Sequence, residues 1–310
     1  MTNILLYALT VAIWGTSWLG IKYQIGVVAL EASVVYRFAL AAALMLLYCA
    51  LARRRMRFSP AEHAFMALQG LFLFCANYVL LYLGTQHLTS GLVAVLFSTI
   101  VIMNIFLGAL FFGSRVRRRV VFGALVGLPG IGLVFWPEIV AFDLARQGTL
   151  SLVLILAGTL SASFGMLISG RNQKQRLPVI QANAYGMTYG TLFMAAYCLA
   201  AGTPFGFDPR PLYVGWLIFL SVFATVIAFW SYLTLLGRIG ADRAGYASVL
   251  FPIVALALST VYEDYQWTPA AAFGVALVLA GNALILTRGG AERAAPLAPP
   301  GNTQGDDLKP

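Results

Sequence analysis

Ten mostly apolar stretches, each close to the roughly 20 residues a helix needs to cross a bilayer core, divide this sequence. They fall at about 4–21, 29–51, 62–84, 90–112, 119–137, 149–169, 179–200, 213–236, 243–262 and 268–287. Several open on helix-start residues: Ser59-Pro60, Pro178, Pro211 and Thr268-Pro269. Inside lipid a backbone must satisfy its own hydrogen bonds, so apolar runs of this length predict an all-α integral membrane protein. Only 10% of the residues are charged and 60% are hydrophobic, whereas a soluble domain carries about 25% charged residues. Soluble enzymes are excluded, because the chain cannot supply their aqueous surface. The first run begins at Ile4 without a basic leader and continues past Trp18, so it reads as a retained span. The tail, 289–310, is rich in Gly, Pro, Asn and Asp and is expected to be disordered and cytoplasmic.

The sequence is read twice. Shifted by 154 residues, Tyr78 falls on Tyr232, Leu81 on Leu235, Gly91 on Gly245, Val95 on Val249, Leu96 on Leu250 and Phe97 on Phe251. Farther on the register is 151, with Phe122 on Phe273, Gly123 on Gly274, Leu128 on Leu279, Gly130 on Gly281 and Leu133 on Leu284. Two units, 1–140 and 145–288, are therefore expected to share one five-helix design. Five is odd, so the second unit enters the membrane in the opposite sense from the first. The expected fold is thus ten transmembrane helices as two inverted five-helix repeats, an architecture that supports alternating access to a site between the halves.

Charge sets the orientation. Arg53, Arg54, Arg55, Arg57, Arg115, Arg117, Arg118, Arg119, Arg171, Lys174, Arg176, Arg238, Arg243, Arg288, Arg293 and Lys309 fall on one side, sixteen of the twenty basic residues. Lys22, Arg146 and Arg210 fall on the other, beside Glu31, Glu138, Asp143, Asp208, Glu263 and Asp264. The positive-inside rule then predicts both termini in the cytoplasm. The net charge of +9 is read as a topology signal, and no nucleic-acid partner is expected.

The Trp14-Gly15-Thr16-Ser17 run, the Arg37-Phe38-Ala39-Leu40-Ala41 run, and the Gly245 to Pro252 segment followed by Glu263 and Gly274 to Gly281 resemble EamA-type members of the drug/metabolite transporter superfamily. The resemblance covers residues 1 to about 288. It implies five plus five spans, cytoplasmic termini and export of small metabolites across a bacterial inner membrane. Ser98 and Ser114 stand where the family pattern has Pro and Glu. Within the family the aromatic pattern looks most like the aromatic amino-acid exporters.

Arg37 lies about eight residues into its span, roughly 12 Å deep at 1.5 Å per residue. An Arg at a helix centre costs about 2.5–3.5 kcal/mol on insertion scales, so it should meet a wet cavity or a partner. Its planar fork suits a carboxylate, and bracing of neighbouring carbonyls or outward snorkelling is the other reading. Trp14 and Trp18, Phe74, Tyr78 and Tyr82, and Tyr185 and Tyr189 recur at intervals of four, each set on one helix face. Trp14 and Tyr78 are expected in a cavity wall. For Trp18 and Tyr82 an interfacial aromatic belt serves equally. The expected substrate-binding residues are Trp14, Ser17, Arg37, Tyr78, Tyr82, Trp230, Tyr232 and Tyr246. Gly91, Gly245 and Pro252 are the expected hinge positions, and Pro252 either kinks its helix at a cavity or does so for packing alone. Gly123 and Gly127 form a GxxxG that serves packing within the chain or a weak homodimer, so a monomer or weak homodimer is expected.

Cys49, Cys75 and Cys198 all sit in apolar runs, and no Cys/His ligand spacing occurs, so neither metal nor cofactor is expected. No carboxylate lies centrally in a span and Ser17 and Ser163 lack an activating base, which argues against an enzyme. A passive pore would call for a filter-like ring. The expectation is a transporter whose partners are the bilayer and a small substrate, best an aromatic or hydrophobic amino acid, with export of a drug or other amphipathic metabolite, or a passive pore, as alternatives. Carboxylates near the spans cluster at their ends, so facilitated efflux down a gradient is expected.

Overall fold

The computed structural model describes residues 2–26, 28–113, 118–134, 146–239 and 247–286, and all of its regular elements are helices. The first two are α1 (Asn3–Gln24) and α2 (Leu30–Leu51). The third rod, α3 (Pro60–Thr85), starts on a Ser59/Glu62 capping box and passes through a π-helical stretch at Gly70–Ala76. Rod α4 has two parts, Ser90–Phe97 and Ile100–Phe112. There follow α5 (Arg118–Val134), α6 (Arg146–Lys174) and α7 (Val179–Ala201). Rod α8 joins Pro211–Ile218, a second π-helical stretch at Phe219–Ile227 and Ala228–Ile239. The last two are α9 (Ala247–Tyr262) and α10 (Pro269–Leu286).

Among the described residues six helices, α1, α2, α3, α4, α6 and α8, are long and apolar enough to cross a membrane. Shorter apolar stretches lie at Val121–Val134, Leu250–Tyr262 and Pro269–Leu284. Helix α7 is 23 residues long but is not among the six. It buries Gln181 and Asn183. These amides, together with the Tyr, Thr and Gly residues between Tyr185 and Tyr197, lower its hydropathy without shortening it. There the Gln69 amide donates to Asn183 Oδ1 at 2.7 Å, and Asn172 donates to Gln69 Oε1 at 3.0 Å, joining α3, α6 and α7 through a buried network.

The helices pair in a repeating scheme. Helix α2 lies along α7, the start of α4 along α9, and α5 along α10. The end of α3 lies along α6, and the end of α8 along α1. The π-helical stretch of α3 packs on α7, and that of α8 packs on α2. The α5–α10 contact uses glycines on both sides: a Cβ on Gly281 would come 2.5 Å from Gly123 O, and one on Gly274 2.5 Å from Gly130 O. The Gly123/Gly127 motif therefore faces α10 of the same chain.

Helix α4 breaks at Ser98-Thr99. The Ser98 hydroxyl donates to Val95 O at 2.6 Å and that of Thr99 to Leu96 O at 2.7 Å, satisfying carbonyls at the break locally. Buried Asn282 of α10 donates to Ser98 O and Oγ at 3.2 and 3.0 Å. Ser98 falls on Pro252 when the sequence is shifted by 154 residues, yet α9 runs through Pro252 as one helix. Proline removes a donor, whereas a serine hydroxyl competes for the carbonyl one turn back and so opens a ladder without steric force.

Candidate substrate-binding site

Arg37 is among the largest fully buried side chains, 2% exposed. Helix α2 aims it at α8, where Nε donates to Thr225 Oγ1 at 3.3 Å, and at α3, where Nη2 donates to the Tyr78 hydroxyl at 3.5 Å. The guanidinium carbon sits 4.6 Å from the Tyr78 ring centre and 5.5 Å from that of Phe38. Nη1 has no hydrogen-bond partner, and among the described residues no carboxylate pairs with the guanidinium. Both bonds are long against the usual 2.7–3.2 Å. A buried cation held by two weak bonds and two ring faces retains most of its capacity to bind an anion.

The π-helical stretch of α8 supplies the other side. Its wider turn lets Thr225 donate to Leu220 O, five residues back, at 2.8 Å while its oxygen receives Arg37. The neighbouring carbonyl of Ala224 receives the Trp14 indole at 3.2 Å. A π-helical insertion shifts backbone register and re-aims the groups it carries, a common feature of functional sites. Trp14 then meets Tyr232 and Phe229 with ring centres 5.1 and 5.5 Å apart. Phe74 bridges Phe229 at 6.3 Å to Phe38 at 5.5 Å, and Phe38 meets Tyr78 edge-on at 4.6 Å. An unbroken aromatic band therefore runs from Tyr232 to Arg37, drawn from α1, α2, α3 and α8.

Of the residues expected from the sequence, the structure brings Trp14, Arg37, Tyr78 and Tyr232 to this band. Ser17 is buried one turn from Trp14 and donates to its carbonyl at 2.7 Å. Tyr82 is fully buried and donates to Gln24 Oε1 at 2.8 Å. Trp18 is buried against Phe97 and Phe251. Both therefore lie inside the bundle, away from an interfacial belt. Trp230 is 48% exposed on the outside of α8. Gly91 packs against Leu256 Cα of α9. Tyr246 and Gly245 lie outside the described residues. The Tyr185/Tyr189 stripe forms a separate cluster with Phe58 and His63, in which the Tyr189 hydroxyl lies 2.9 Å from His63 Nδ1.

Sequence reasoning missed the contacts at the α3–α4 turn. Lys22 donates to the carbonyls of Thr85, Gln86 and Leu88 at 3.0, 3.2 and 3.0 Å. Glu263 accepts the Ser90 amide at 3.0 Å and its hydroxyl in a short bond. A cation at the C-terminal carbonyls of α3 and a carboxylate at the first turn of α4 both complement the helix dipoles. A cavity of about 530 Å³ lies between Lys22, His87 and Glu263, and Arg37 is not in its wall.

This buried, under-satisfied site in an apolar helical bundle has relatives. The EamA-like transporter family model matches residues 1–136 and 149–287. The chain belongs to that family. It is 23% identical over 288 residues to an uncharacterized transporter of Archaeoglobus fulgidus, covering 93% of this chain and 100% of that one. It is 22% identical over 273 residues to protein PagO of Salmonella typhimurium, covering 84% of each. With the uncharacterized transporter YvbV of Bacillus subtilis it shares 24% over 299 residues, 94% of this chain and 93% of the relative. One crystal structure superposes with a TM-score of 0.64 at 19% identity, covering 91% of this chain and 95% of that one, a likeness of fold. The chain is thus a multi-pass membrane transporter of the EamA family.

Proposed function

We propose that this transporter exports aromatic or other hydrophobic amino acids by alternating access between two inverted five-helix repeats. The repeats are residues 1–140 and 145–288, set in a bacterial inner membrane with both termini cytoplasmic. The repeating helix partnership supports the inverted arrangement: α3 with α6 matches α8 with α1, while α2–α7, α4–α9 and α5–α10 each join equivalents.

One observation carries the substrate class: Arg37 is buried at the end of an aromatic band with Nη1 unpaired. A carboxylate arriving there pairs charge with charge in place of two long bonds to neutral hydroxyls, and the substrate ring packs against Tyr78 and Trp14. A sugar would call for several amide and carboxylate groups, and a phosphate for more than one deep cation. Arg37 and Tyr78 belong to the first half and Thr225 and Tyr232 to the second, so a substrate bridging them ties its occupancy to the seam that must open. The driving force is the substrate gradient, because the carboxylates of the spans lie near their ends.

The test is efflux from proteoliposomes loaded with a panel of amino acids, sugars and cationic drugs. Protein-dependent, saturable loss of Phe and Trp is expected, strongly reduced by Arg37→Ala. Vesicles that retain every amino acid while releasing a cationic drug or a sugar would overturn the substrate assignment.

A further inference from the structure

Two opposite charges share one cavity and do not close on each other. Lys22, near the end of α1, and Glu263, just past α9, both line the cleft of about 530 Å³ at the α3–α4 turn. Among the described residues they form no ion pair. Their hydrogen bonds hold them apart. The Lys22 ammonium donates to the carbonyls of Thr85, Gln86 and Leu88. Glu263 accepts the amide and the hydroxyl of Ser90, two residues past the last of those carbonyls. Each charge is thus fixed to one short stretch of backbone by neutral partners, and neither is cancelled. Both side chains are half-buried, where charges are screened less than on an open surface.

The remaining wall is largely apolar. Tyr23, stacked on Trp216 with ring centres 5.8 Å apart, lines it with Tyr262, Leu19 and Leu88. The volume falls within the roughly 300–1,000 Å³ of small-molecule sites. A ligand with a single charge would meet a like charge on one wall, whereas a zwitterion meets both walls with opposite sign. We propose that this cleft is a second binding site for a zwitterionic α-amino acid, its carboxylate toward Lys22 and its ammonium toward Glu263. Ser90 supplies only two hydrogens and a carboxylate has about four acceptor positions, so Glu263 can take the ammonium as well. All three Lys22 hydrogens are committed, so charge alone draws the ligand's carboxylate. Tyr23 and Tyr262 offer ring faces to the side chain. The site rests on the amino-acid reading above and adds a station separate from Arg37, at the exterior mouth in the orientation proposed there. It joins Lys22 of the first half to Glu263 of the second.

The experiment is hydrogen exchange of a peptide spanning 86–92 in the full-length protein, in detergent at low salt, with L-phenylalanine, 3-phenylpropionate or phenethylamine. Phenylalanine at about ten times its dissociation constant should slow exchange about tenfold, in the wild type and in Arg37→Met alike. The two singly charged analogues should not. Glu263→Gln leaves only the cation, so slowing, taken relative to the variant's own ligand-free rate, should switch to 3-phenylpropionate. Lys22→Met leaves only the carboxylate and should switch it to phenethylamine. A merely structural role for either residue would change the ligand-free rate without changing which ligand acts. The variants switch in opposite directions, so either carries the test if the other does not fold. Slowing that is lost in Arg37→Met, that a singly charged analogue matches in the wild type, or that keeps its selectivity in a folded variant overturns the site. Nanodiscs separate the free amino acid from a lipid headgroup of the same chemistry. If phosphatidylethanolamine slows exchange relative to phosphatidylglycerol and phenylalanine adds nothing, the amino-acid site fails. Phenylalanine efflux without slowing overturns this site and leaves the export reading standing, and slowing without efflux does the reverse.

Discussion

Arg37→Met separates a functional arginine from a structural one, because the two roles predict opposite effects on the empty protein. In the structure Arg37 has bonds of 3.3 and 3.5 Å and two ring contacts. Each cation–π contact contributes about 0.5–2 kcal/mol, while burying an ion costs several kcal/mol. Replacing an under-paired buried ion with an apolar side chain of similar length is often neutral or stabilising by about 1–4 kcal/mol. The melting temperature of ligand-free Arg37→Met should therefore hold or rise. Loss of a buried charge pair with the substrate costs about 2–5 kcal/mol, so phenylalanine affinity should fall by about 30-fold or more. The assay is a thermal scan in detergent with and without phenylalanine, beside efflux from proteoliposomes. A clear fall in the ligand-free melting temperature would refute the reasoning, since it would mean that Arg37 holds the helices together.

Three further outcomes follow from other parts of the molecule. Glu263→Gln weakens a charge-assisted bond to the Ser90 amide worth about 1.5–3 kcal/mol, so hydrogen exchange in a peptide spanning 86–92 should accelerate about tenfold or more. Unchanged exchange would show that Glu263 does not hold the α3–α4 turn. Gly274→Leu drives a side chain into a backbone oxygen 2.5 Å from its Cβ, and overpacking of about 1–3 kcal/mol or more should lower the melting temperature and yield, whereas Gly132→Leu, with nothing within 4 Å, should be tolerated. Reporters fused after Arg57, Arg119 and Arg176 should signal cytoplasm and those near His87 and Asp208 the exterior, and the reverse pattern would contradict the inverted repeat.

The helical architecture was legible because bilayer thickness dictates run length and lipid forbids unpaired backbone, so helix positions follow from composition alone. Arg37 was legible for the same reason: a deep cation stands out against an apolar background. Thr225 and Gln24 were not. A threonine in the run Phe219–Ile227 carries no mark of its own, and only the π-helical register brings it to Arg37. Gln24 looks like an interfacial polar residue at a helix end until Tyr82 is seen to be buried against it. Trp230 shows the opposite case: it was expected beside Tyr232 among the substrate-binding residues, but a spacing of two places the residues on different helix faces and leaves Trp230 exposed. The break in α4 had a partial signal, because Ser98 falls on Pro252 at the 154-residue shift. The brace from Asn282 is a tertiary contact that no local pattern announces.

Alternating access is tested most directly by labelling a single cysteine at the seam between the halves. Thr225→Cys, in a background with Cys49, Cys75 and Cys198 replaced, should react with a membrane-impermeant thiol reagent in both right-side-out and inverted vesicles. Phenylalanine should slow labelling in each. Reaction from one side only, or from both sides at rates indifferent to phenylalanine, would contradict a substrate site carried between two rocking halves.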